Sequence, residues 1–116
     1  MKDYRSCPCT RDIEYQKKMN QDSREYRTVS AKFIFEILRM QFRAKNLRNI
    51  LRTPVLFLVA GEDKIVDPAV SQAIFAGLIA KDKALVEFPG MYHSLSIELG
   101  KESVFEEILK WVERRI

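Results

Sequence analysis

The chain has 116 residues, of which 47% are hydrophobic and 31% charged, and its formal net charge is +4. This length allows one domain at most, and the composition is ordinary for a soluble globular protein. Lys and Arg outnumber Asp and Glu two to one in residues 1–50, but they are dispersed among acids and never run beyond two in a row. This pattern predicts a solvated face and no nucleic-acid site.

Membrane, export and metal signals are weak in this sequence. No apolar stretch reaches the roughly 18–20 residues that a membrane span needs, and residues 1–6 lack the apolar core of a signal peptide. We therefore expect no transmembrane segment and a cytoplasmic location, free or peripheral to a membrane. Cys7 and Cys9 flank Pro8, a spacing too short for an easy disulfide and with only two of the four ligands of a zinc site. We expect free thiols near a disordered end and no bound metal.

Two helices are predicted before residue 50. A short one runs from Asp12 to Met19, with Thr10 or Asp12 as its N-cap, and Ser30 can cap a second one from about Ala31 to Lys45. The second helix carries an apolar face wide enough for more than one partner surface. That face comprises Ile34, Ile37, Leu38 and Phe42, broadened by Phe33, Phe35 and Met40.

A strand and a helix follow. The segment Val55–Ala60 is apolar at every position, which favours a strand covered on both faces in a parallel sheet. Asp67 followed by Pro68 is a helix-start signal, and the helix is expected to reach about Ala80. The residues expected on its inward face are Val70, Ala73, Ile74, Gly77 and Leu78.

A second strand and a last helix complete a βαβα order. The strand covers Ala84–Phe88 and is closed by Pro89 and Gly90, and the helix spans about Lys101–Arg115. Two strands with three long helices and one short one give too little cover for the faces and edges of an all-apolar strand. We therefore expect a part of something larger, or self-association through the exposed sheet edge. The residues expected to pack inward on the last helix are Val104, Phe105, Ile108, Leu109, Trp111 and Val112.

One carboxylate and the single histidine follow the two strands. Asp63 comes three residues after the first strand and His93 five residues after the second. Because neighbouring strands lie about 4.8 Å apart and working residues cluster at their carboxyl ends, these side chains can meet. Asp63 would then hold His93 in one tautomer, and His93 would take the proton from a hydroxyl nucleophile. Asp67 could compete for the orienting role, but it has a helix to cap, so Asp63 is the better candidate.

These motifs carry a resemblance to a known family. Three segments resemble the C-terminal portion of an α/β-hydrolase. They are TPVLFLVAGEDKIVDP, VEFPGMYHSLSIE and the end of the last helix, ILKWVERRI. The likeness is to the branch with monoacylglycerol lipases, lysophospholipases and serine aminopeptidase-like proteins. Residues 9–12 and 22–31 resemble the stretch that leaves the cap of those enzymes. The resemblance implies a cap-derived, mostly helical segment over residues 1–46 and a C-terminal α/β-hydrolase portion over residues 47–116.

The resemblance also implies what the residues do. Asp63 and His93 match the acid and the histidine of the triad, and the parent enzyme would cleave an ester of a lipid or small acyl compound without a cofactor. The family's nucleophile sits in a G-x-S-x-G frame, which none of the seven serines of this sequence has. It would precede residue 1 in the family's order of nucleophile, acid and histidine. We therefore expect the 116 residues to be inactive alone, and keep a non-catalytic module that pairs through its exposed strand as the alternative.

Overall fold

The computed structural model of the protein describes residues 9–24 and 28–116, so Cys7 lies outside the described residues. The architecture is mixed α/β, and the expected order strand, helix, strand, helix is confirmed after two N-terminal helices. The elements are α1 (Ile13–Gln21), α2 (Ala31–Leu47), β1 (Val55–Ala60), α3 (Pro68–Ala76), β2 (Lys83–Phe88), a 3₁₀ turn (Leu95–Ile97) and α4 (Lys101–Glu113).

Three of the helices begin at a short polar side chain that accepts a hydrogen bond from a backbone N–H of the first turn. Such a cap satisfies one of the donors that have no partner inside the helix. The three bonds join Asp12 Oδ1 to Tyr15 N (3.0 Å), Ser30 Oγ to Phe33 N (3.1 Å) and Asp67 Oδ1 to Ala69 N (2.9 Å). Asp12, and not Thr10, therefore caps α1.

The sheet of the described residues consists of β1 and β2, paired in parallel from Val55 opposite Lys83 to Ala60 opposite Phe88. The connecting helix α3 lies against β1, where the rings of Phe57 and Phe75 are 6.0 Å apart. Within β1, Val59 and Ala60 are buried and the first four positions are half-buried. The expected cover on both faces is thus present at the carboxyl end of the strand, which is the end that carries the candidate site.

The buried core lies at this same end of the sheet. Phe88 closes β2, Met91 follows it in the loop, and Val104 reaches them from α4 with 2% of its surface exposed. Burial of these side chains fixes α4 beneath the loop that carries His93. The partly buried side chains that pack against this core are Leu58, Val86, Leu95 and Ile108.

Helix α3 ends at Ala76, four residues before the predicted end at about Ala80. The ammonium group of Lys83, at the start of β2, donates to three carbonyl oxygens at the end of this helix. A cation is favourable there because the last carbonyls of a helix have no partner within it. The acceptors are the carbonyls of Phe75 (3.0 Å), Ala76 (3.3 Å) and Leu78 (2.7 Å).

Several apolar side chains expected to face inward are exposed. On α2 the exposed fractions run from 49% for Ile34 to 69% for Phe42, and on α4 Phe105 and Leu109 are about half exposed. On α3 the predicted inward residues Val70 and Ile74 are exposed in the same way. The periodicity located apolar faces that the described residues cover only in part, since Val104 is buried and Ile37 and Ile108 are half-buried. None of the helices in residues 9–24 and 28–116 is long and apolar enough to cross a membrane.

Candidate active site

The loops after β1 and β2 are joined by backbone hydrogen bonds that continue beyond the two strands. Gly61 N donates to Phe88 O at 3.0 Å, and Glu62 N donates to Met91 O at 3.0 Å. The close approach at Gly61 suits a residue without a side chain, because a Cβ there would lie 3.1 Å from the Cα of Pro89. These bonds place Asp63, the next residue of the first loop, beside the second loop.

Asp63 is held by its own loop and by His93. Its Oδ1 accepts hydrogen bonds from Ile65 N at 2.8 Å and Val66 N at 2.9 Å, which is a turn closed by the aspartate side chain. Its Oδ2 lies 2.8 Å from Nδ1 of His93. The carboxylate is therefore fixed on one oxygen and directed at the imidazole with the other.

The charge of Asp63 is stabilised in this position. Partial burial acts to raise the pKa of the carboxyl, but hydrogen bonds from Val66 N, the His93 ring and Ile65 N, with the charge of His93, outweigh it. The net effect is a pKa below the usual value, because each donor favours the ionised form. Asp63 is thus a carboxylate at neutral pH and accepts the hydrogen of the ring.

His93 is oriented by this contact. A carboxylate has no hydrogen to donate, so Nδ1 carries the proton and Nε2 of the neutral ring is the basic nitrogen. The side chain of His93 is 40% exposed whereas that of Asp63 is 11% exposed. The ring thus has its acid partner on the protected side and an accessible face, which suits a group that exchanges a proton with a second molecule or segment.

The neighbouring carboxylates have other partners. Asp67 caps α3 through Ala69 N, as the sequence predicts, and Glu62 Oε2 lies 2.7 Å from Nζ of Lys64. The contact with His93, for which the sequence favours Asp63 over Asp67, is therefore made by Asp63. The catalytic roles of Asp63 and His93 stay predictions.

The loop that carries His93 is anchored to the N-terminal segment on both sides of the histidine. Ser94 N donates to Cys9 O at 2.8 Å, and Tyr92 N donates to Glu98 Oε2 at 2.9 Å. The Glu98 carboxylate also accepts from Arg11 N, at 3.1 Å for each oxygen. Glu98 was not among the predicted site residues. An acid between the apolar residues Ile97 and Leu99 was the signal that could have marked it.

Within the described ranges 9–24 and 28–116, no serine hydroxyl is hydrogen-bonded to His93, and no group of three or more His, Cys, Asp or Glu side chains is arranged to hold a metal ion. Cys9 is a free thiol whose Sγ lies 4.0 Å from Sδ of Met19.

A sequence model of a protein family described as serine aminopeptidase, S33, matches residues 2–100. Phospholipase YtpA of Bacillus subtilis (strain 168) is 30% identical over 96 residues, which are 82% of this chain and 37% of that protein. A thermostable monoacylglycerol lipase of Bacillus sp. (strain H-257) is 23% identical over 94 residues, which are 79% of this chain and 38% of that protein.

Solved structures show the same fold. The monoacylglycerol lipase of Paleococcus ferrophilus superposes with a TM-score of 0.80 at 28% identity, over 89% of this chain and 40% of that one. A soluble variant of monoglyceride lipase from Saccharomyces cerevisiae superposes with a TM-score of 0.76 at 22% identity, over 92% of this chain and 40% of that one. The chain thus spans about two fifths of the length of these relatives.

Proposed function

The chain belongs to the serine aminopeptidase family of α/β-hydrolases, and we propose that it is the acid- and histidine-bearing C-terminal part of a serine hydrolase that cleaves carboxylic esters. The observation that carries this proposal is the 2.8 Å contact between Asp63 Oδ2 and His93 Nδ1 at the carboxyl end of two parallel strands. In such sheets the reacting groups lie at this edge. Residues 47–116 would form the hydrolase portion, and residues 1–46 the segment that leaves the cap.

In this proposal the two side chains divide the proton chemistry between them. Asp63 holds the proton of His93 on Nδ1 and stabilises the charge that the ring acquires. His93 Nε2 removes the proton from a serine hydroxyl as that oxygen attacks the ester carbonyl, and then delivers it to the leaving alkoxide. Water repeats the cycle to release the acid from the acyl-enzyme.

The proposed substrate class is taken from the activities that the names of the relatives state. The named relatives are a phospholipase and monoacylglycerol lipases, so we assign the parent a lipid or small acyl ester. Because these 116 residues hold no G-x-S-x-G frame, we propose that they do not hydrolyse esters alone. Loss of the nucleophile removes nearly all triad catalysis, and loss of the oxyanion hole removes most of what is left.

A chimera tests the roles of the two residues. The chain would replace the matching two fifths of the Paleococcus ferrophilus lipase, and hydrolysis of a short-chain nitrophenyl ester would be measured. We expect activity in the chimera and its loss in His93→Ala. The matched control is Asp67→Asn, which changes a carboxylate of the same loop that faces Ala69 N and not the ring. Activity that survives His93→Ala, or serine-dependent turnover by the 116-residue chain alone, would contradict the proposal.

A second candidate function is a non-catalytic interaction module. It is favoured by the exposed apolar side chains of α2, among them Phe33 at 54% and Phe35 at 63%, and by β1, which pairs with β2 along one edge. Exposed apolar faces and open strand edges mark association surfaces. Sedimentation velocity over a hundredfold range of concentration distinguishes the two: a monomer throughout would argue against self-pairing.

A further inference from the structure

We propose that Glu98 is a positioning residue for His93, which ties the loop of the histidine to the hydroxyl of Thr10 and the backbone N–H of Arg11. This inference rests on the proposed function, since it assigns Glu98 a part in keeping His93 ready to act as a base. Glu98 does not touch His93, and the described contacts place it on the neighbouring residue, Tyr92.

The contacts of Glu98 join its own loop to a segment that is far away in the chain. Its oxygens accept hydrogen bonds from Tyr92 N at 2.9 Å, Leu99 N at 2.7 Å and Arg11 N at 3.1 Å. The hydroxyl of Thr10 lies 3.3 Å from Oε1. Thr10 and Arg11 precede Glu98 by 88 and 87 residues. Only the folded chain can therefore assemble this set of donors.

Glu98 is a buried carboxylate whose charge is compensated by hydrogen bonds and by the guanidinium of Arg11. Its side chain has no exposed surface, and Nε of Arg11 lies 3.3 Å from Oε1. Burial acts to raise the pKa of this carboxyl, but the N–H groups of Tyr92, Leu99 and Arg11 and the charge of Arg11 lower it below the usual value. A buried carboxylate with several donors is favourable only while the donors stay aligned, so it resists displacement of the loops that it joins.

The histidine lies between two anchors that lead to the same N-terminal segment. Tyr92 N reaches Glu98, which in turn binds Arg11 N, while Ser94 N donates directly to Cys9 O. The backbone on each side of His93 is thus fixed, so the ring can meet Asp63 without rearrangement. Catalytic side chains work best when neighbouring bonds hold them to within a fraction of an ångström.

The single histidine makes the test direct. The two-bond ¹H–¹⁵N correlation of the ring, recorded at a pH where the ring is neutral, shows which nitrogen carries the proton. In the 116-residue chain we expect the proton on Nδ1. Glu98→Gln keeps the shape but puts an amide NH₂ against the donors, so we expect a shift toward the Nε2–H tautomer, which a free imidazole prefers. Glu106→Gln, an exposed acid on α4, is the control and should leave the signals unchanged.

A second variant keeps the test decisive if Glu98→Gln does not fold, which circular dichroism will show. Thr10→Val removes one hydroxyl from the carboxylate and leaves its charge, and should move the ring signals in the same direction by a smaller amount. The proposal would be overturned if the ring signals of folded Glu98→Gln matched those of Glu106→Gln. If Glu98→Gln does not fold, the same match for Thr10→Val would overturn it. The spectra need no turnover, so an inactive chimera with a wild-type Nδ1–H signal would count against the proposed function alone.

Discussion

Thr10 and Glu98 are both buried and lie 3.3 Å apart from hydroxyl to carboxylate, although 88 residues separate them in the chain. The same hydroxyl accepts a hydrogen bond from Asp12 N at 3.1 Å. The start of α1 is therefore attached to the loop that carries His93. In a chain with few fully buried side chains among the described residues, this polar contact links the N-terminal segment to the candidate site.

Replacing Asp63 by Asn should abolish most of the activity of the lipase chimera. The amide would donate a hydrogen where the carboxylate accepts one, so the ring would be held in the tautomer that has its proton on Nε2 and cannot act as a base. We expect a loss of about 10⁴-fold in kcat. Nitrophenyl ester hydrolysis measures it. A loss as large in Asp67→Asn, with Asp63→Asn near wild type, would assign the acid role to Asp67.

Acid should weaken the fold through Glu98. Its pKa is lowered from the usual 4.5 in the folded state, so the unfolded chain binds more protons between the folded and unfolded values. The contribution of Glu98 is therefore complete above about pH 4.5 and is lost as the pH falls through its folded pKa. Urea unfolding between pH 6 and pH 3 should show a steeper fall for wild type than for Glu98→Gln. Parallel curves would show that Glu98 has the same pKa in both states.

Shortening Val104 to Ala should destabilise the chain. Val104 is 2% exposed and packs against Phe88 and Met91, directly beneath the loop of His93. Loss of two buried methyl groups and the cavity that remains cost about 2 kcal/mol. The free energy of unfolding in urea provides the measurement. The same change at Val70, which is 51% exposed on α3, is the matched control and should cost far less; equal losses would place Val104 outside the core.

Gly90 should not tolerate a side chain. Its φ is +74°, a left-handed conformation that costs other residues about 1–2 kcal/mol. Gly90→Ala should lower the free energy of unfolding by that amount and disturb the ring signals of His93, which lies three residues on. Gly77, with a φ of −78° at the end of α3, is the control, where Ala should be nearly neutral. A neutral Gly90→Ala would mean that the turn can adopt another conformation.

The order of elements was predictable because its signals are local. The caps Asp12, Ser30 and Asp67 each bind an N–H within three residues. The strand β1 is an apolar run followed by Gly61, and β2, which is apolar at four of its six positions, is followed by Pro89. The end of α3 was predicted four residues too late. Gly77 is the C-cap, and its N–H donates to the carbonyls of Ala73 and Phe75, while the ammonium group of Lys83 donates to those of Phe75 and Leu78.

The sequence by itself determined where the helices begin, where the strands run and that Asp63 and His93 follow strand ends. These are properties of neighbouring residues, and spacing along the chain records them. The sequence also favoured Asp63 over Asp67 as the partner of His93, because Asp67 caps a helix, and the structure shows that contact. Only the tertiary structure decided that Phe105 and Leu109 stay exposed and that Glu98 joins residues 10 and 92. Each of these depends on distances between segments tens of residues apart, which hydrophobic periodicity and turn chemistry do not encode.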